Sequence, residues 1–161
     1  VSDSTLNTFR KLVSRFAEHQ EFIVRAKGLA RDYTPGVVDR VIRDHRVAID
    51  TILPDLVTAF AEAEEVVREL KSLRDEALAQ AEQAREEAQL FELRALIGEL
   101  DGEVAELSAA PHRERAAAVQ PTVDFLQGRL DGYRDVLREW YRVGVASGVL
   151  RSDAPRLAIA G

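Results

Sequence analysis

Cysteine is missing from all 161 residues, which removes disulfides, thiolate metal centres and cysteine nucleophiles together. No apolar run approaches the roughly 18 residues of a membrane span, and the opening VSDSTLNTFRKLVSRF lacks the unbroken apolar segment of a signal peptide. We expect a cytoplasmic protein with no membrane insertion. Methionine is also absent and aromatics make up only 6%, so any core must be built mainly from Ala, Val and Leu, in thin layers.

Histidine is scarce, with three in the chain. No two share a helical face, and there is no Glu-x-x-His pair of the di-iron bundle type. Pairing the first two helices antiparallel brings His19 near His45, with Glu18, Glu21 and Asp44 close by; we read His45 as a polar seam residue and His19 as near-surface. His112 is expected at a helix start, in solvent. No glycine-rich phosphate loop or strained serine elbow is present, and Asp101 and Asp131 lack the alternating oxygen ligands of a calcium loop. The expectation is no metal, no cofactor and no enzyme.

What is abundant is charge, at 31%, with Glu and Arg prominent, a composition suited to long helices. The net charge of -6 is uneven: residues 51–110 carry 15 acidic and 5 basic side chains, whereas the flanking segments are mildly basic. Phosphates would be repelled by that middle, so nucleic acid is excluded as a partner. Anionic lipid is disfavoured for the same reason.

Apolar spacing then defines the architecture. Leu6, Phe9, Val13, Phe16 and Ile23 alternate three and four apart, which predicts a helix over 4–31. Thr34 and Pro35 suit the cap and first turn of the next helix, predicted over 35–107 with a kink or break near Pro54. SAAPHRE reads as the hairpin connection, with Pro111 opening a third helix over 111–147 and Gly148 as its C-cap before a tail to residue 161. The predicted fold is a single all-α domain of antiparallel coiled-coil hairpins built from three long helices, or four if Pro54 breaks the second, elongated or bundle-like.

Two stripes run along the second helix. A small-residue stripe passes through Ala77, Ala81, Ala84, Ala88, Phe91, Ala95, Gly98, Gly102, Ala105 and Ala109. A large-residue stripe, Leu90, Leu93, Ile97, Leu100, Val104 and Leu107, lies nearly opposite. Because Gly98 and Gly102 stay in register, GELDG (98–102) is expected to be helical, like its echo GRLDG (128–132). With a turn near Ala109, the large stripe is matched by Val119, Val123 and Leu126 of the third helix. The small face is then left for a second contact.

These readings place a partner or dimer contact at Phe91, Ala95, Gly98, Gly102, Ala105, Phe125, Gly128 and Gly132. The expected function is a non-catalytic helical oligomerisation and protein-interaction module, self-associating as a homodimer through the distal hairpin. The alternative is a compact bundle that senses a small ligand, as in a regulator effector or sensor domain, with a pocket lined by Phe60, Tyr133, Trp140 and Tyr141.

Overall fold

A computed structural model describes residues 3–150. Three long helices account for nearly all of them: α1 (Ser4–Gly28), α2 (Pro35–Leu96) and α3 (Gly102–Ala146), with a short 3₁₀ turn at Ala30–Asp32. No strand occurs among the described residues. The all-α hairpin architecture expected from the spacing is therefore present.

Several boundaries differ from the sequence reading. α1 ends at Gly28, and the chain continues through the 3₁₀ turn into Tyr33, which is extended. Pro54 lies inside an unbroken α2 and does not split it into two helices. α2 stops at Leu96 instead of 107, and α3 begins at Gly102 instead of 111. GELDG is thus the reversal, and SAAPHRE is helix. Pro111 and Pro121 both lie within α3 at exposed positions, where water can take the carbonyls left without a proline N–H.

Local chemistry explains where α2 ends. Gly98 adopts φ +82°, a conformation that costs an L side chain roughly 1–2 kcal/mol. In that geometry the Glu99 N–H donates to the Arg94 carbonyl at 2.8 Å, and the Leu100 N–H donates to the same oxygen at 3.2 Å. Asp101 then starts α3: its Oδ1 accepts from the Glu103 N–H at 2.9 Å and the Val104 N–H at 3.4 Å. GRLDG remains helical because Leu130 is fully buried and Gly132 sits under Leu6, whose Cδ2 lies 3.2 Å from where a β-carbon would be. Gly148, with φ +81°, follows α3 as the predicted cap, and the Leu150 N–H closes onto the Gly144 carbonyl at 2.9 Å. The rest of the predicted tail, from residue 151, lies outside the described residues.

The chain divides into two compact units, one made of residues before 68 together with those from 132 onward, the other of residues 68–131. In the first, α1 buries Leu6, Phe9, Val13 and Phe16, the α2 segment buries Ile52, Leu56 and Ala63, and the α3 segment buries Tyr133, Leu137 and Trp140. Rings link the three helices: Phe9 to Phe60 at 6.2 Å, Phe60 to Tyr141 at 6.0 Å, and Phe16 edge-on to Trp140 at 5.3 Å.

The second unit is a two-helix hairpin with an alanine seam. Ala77, Ala81, Ala84 and Ala88 of α2 and Ala105, Ala109 and Ala116 of α3 are all buried. Arg74 interrupts the seam and donates to Gln127 Oε1 at 3.1 Å, giving one polar cross-link. Phe91 stacks on His112 at 5.9 Å, whereas a turn at 108–110 would have set it near residue 127. His112 is accordingly half-buried within a helix, not solvated at a helix start.

Candidate interaction surface

The alanine seam reverses the sequence assignment of the two stripes. The small stripe forms the interior of the hairpin, and the large stripe is left outside. Leu93 is 57% exposed, Leu96 85%, Ile97 67% and Leu107 72%, with Leu90 and Val104 also exposed. All six lie in the last two turns of α2, the reversal, or the first two turns of α3. Val123 and Leu126, expected to cover this stripe, are buried further along α3.

Beside the patch, Arg113 of α3 holds two carboxylates. Its Nη2 donates to Glu92 Oε1 of α2 at 2.6 Å and its Nη1 to Glu106 Oε1 at 2.6 Å. The Arg113 hydrogen bond, reinforced by its charge, keeps the Glu106 carboxyl below the usual carboxylate range. Arg94, near the end of α2, lies 3.7 Å from Glu99 within the reversal. Of these pairs Arg113–Glu92 joins α3 to α2, Arg113–Glu106 lies within α3 and Arg94–Glu99 stays beside the reversal, and each is too exposed to contribute much stability alone.

The residues proposed from sequence as a contact set do not form one face. Phe91 and Ala95 are half-buried near the end of α2, Gly98 is in the reversal, and Gly102 is the exposed first residue of α3. Ala105 is buried in the seam. Phe125 and Gly128 are exposed further along α3, while Gly132 belongs to the other unit and lies against Leu6. The period of the large residues was visible in the sequence, but period alone does not tell an inner stripe from an outer one, and their exposure is legible only in the structure.

The four aromatic residues expected around a pocket instead fill core. Tyr133, Trp140 and Tyr141 are at most 3% exposed and Phe60 is half-buried between Phe9 and Tyr141. The Trp140 Nε1–H is buried without a hydrogen-bond partner. A cleft of about 410 Å³ in the same unit is lined by other residues, among them Gln20, Glu21 and Arg142. Among the described residues no group of three or more His, Cys, Asp or Glu could hold a metal, and no helix is long and apolar enough to cross a membrane.

Comparison of the chain with protein-family models, curated proteins and solved structures finds no match.

Proposed function

We propose that the protein is a non-catalytic helical interaction module that self-associates through the end of the 68–131 hairpin. The observation that carries this reading is the exposure of six large aliphatic side chains around one reversal, in a hairpin whose own seam is already closed by alanines. Monomeric proteins rarely leave such a cluster in water, and burying a single leucine side chain contributes about 1.5–3 kcal/mol. A second copy related by a two-fold axis supplies a matching apolar surface without requiring another gene product. The contact uses the large residues flanking Gly98 and Gly102, and the glycines serve the reversal instead of the interface.

The test is sedimentation equilibrium on the untagged protein and on Leu96→Gln/Ile97→Gln, whose side chains are exposed and so dispensable for the fold. The expected result is a dimeric mass for the parent, a monomeric mass for the variant and superimposable helical circular dichroism. A parent that remains monomeric at tens of micromolar, or a variant with the parent's mass, overturns the reading.

A further inference from the structure

His19 on α1 and His45 on α2 stand 26 positions apart in sequence, yet their Nδ1 atoms are 3.0 Å from each other. Both side chains are half-buried, and the Phe22 ring lies 5.1 Å from that of His45, restricting its rotation. Two neutral imidazoles can make this contact only if one Nδ1 carries a proton and the other presents its lone pair. Both Nδ1 atoms are therefore directed into the same small volume between the helices.

We propose that His19 and His45 form a two-histidine site for a late first-row divalent cation, with Cu²⁺ the tightest binder and Ni²⁺ next. Imidazole suits these ions, and the order follows the general stability series for nitrogen ligands. Metal-to-imidazole bonds are about 2.0–2.1 Å. Two nitrogens 3.0 Å apart at that bond length subtend roughly a right angle at the metal, the angle between adjacent ligands in tetragonal geometry. Tetrahedral zinc would require the nitrogens to separate by a few tenths of an ångström, so it should bind more weakly than copper.

Loading the site requires both Nδ1 lone pairs. The proton that the donating Nδ1 carries in this contact moves through solvent to the Nε2 of the same ring. No third His, Cys, Asp or Glu among the described residues completes the set, which leaves the remaining coordination positions to water. The site is consequently open and exchangeable. Because its two ligands come from different helices of one unit, a bound ion also pins α1 to α2, and binding to the folded state alone raises thermal stability.

The experiment is titration of untagged protein with CuCl₂ and NiCl₂, followed by calorimetry, with Cu²⁺ also followed by electron paramagnetic resonance. One equivalent should bind with a tetragonal signal showing nitrogen hyperfine structure, and excess Ni²⁺ should raise the melting temperature. His19→Gln and His45→Gln should each weaken Cu²⁺ at least tenfold and abolish the nickel-induced shift, whereas His112→Gln should match the parent. Circular dichroism of each variant reports folding. Should either variant unfold, nitrogen coordination counted on the parent by pulsed resonance decides the matter, two imidazoles supporting the site and one or none refuting it. Copper bound equally by the parent and a folded His19→Gln or His45→Gln variant overturns the proposal, as does the absence of a one-equivalent site.

Discussion

Gly98 and Asp101 share one reversal: the first ends α2 through a left-handed backbone, and the second begins α3 with its carboxylate on the Glu103 N–H at 2.9 Å. A β-carbon at Gly98 would meet nothing within 4 Å, so substitution there tests conformation and not space. Gly98→Ala should destabilise by about 1–2 kcal/mol, and Asp101→Ala by about 1 kcal/mol through loss of the cap. Urea unfolding monitored by circular dichroism checks both. If the reversal were at 108–110, Gly98→Ala would instead raise stability, as a glycine removed from a helix interior does.

Which stripe faces inward can be read from two substitutions. Ala84 is 2% exposed in the seam, and leucine there keeps helix propensity while overfilling the contact. Ala84→Leu should cost about 1–3 kcal/mol, whereas Leu93→Ala on the exposed face should cost less than about 0.5 kcal/mol in dilute monomer. The opposite order in denaturant midpoints would put the large stripe inside.

Gly128 and Gly144 make a second contrast within α3. A β-carbon at Gly128 enters open space, so Gly128→Ala should stabilise by about 0.5–1 kcal/mol. At Gly144 it would stand 2.6 Å from Leu150 Cδ1 and 2.8 Å from its Cγ, so Gly144→Ala must displace Leu150 from the helix end. Thermal melts should show a rise for the first and no comparable gain for the second.

Acid should weaken the hairpin end through Glu106. The Arg113 contact lowers its carboxyl in the folded state, so its stabilising contribution is present above the ordinary carboxylate range and is lost as pH falls through that range and below. Glu106→Gln should lose less stability than the parent on that acid limb. The difference should shrink in 1 M salt, because the pair is exposed and screened. Urea midpoints at pH 7 and pH 3, with and without salt, provide the comparison, and equal acid limbs would show that the contact contributes nothing.

Much of the first unit was legible along the chain. Leu6, Phe9, Val13, Phe16 and Ile23 recur at helical spacing, and all are buried. Thr34 and Pro35 mark the start of α2, and Gly148 follows α3, because caps depend on neighbours a few residues away. The second unit was harder. A stripe passing through Gly98 and Gly102 kept helical register across what is in fact a four-residue step over the reversal, so periodicity masked the local cap formed by Gly98 and Asp101.

The sequence by itself determined that the chain would be helical, cysteine-free and assembled in hairpins, since composition and apolar period act within a few turns of one helix. Tertiary structure decided the register and the face. GELDG and GRLDG share four of five residues, yet one reverses the chain and the other stays helical, because Leu130 is buried in the packed interior while Gly98 is free to take a left-handed backbone in solvent. Once the reversal lies at 97–101, alanine meets alanine across the hairpin and the leucines around it face outward, a consequence of how two helices meet that neither stripe carries alone.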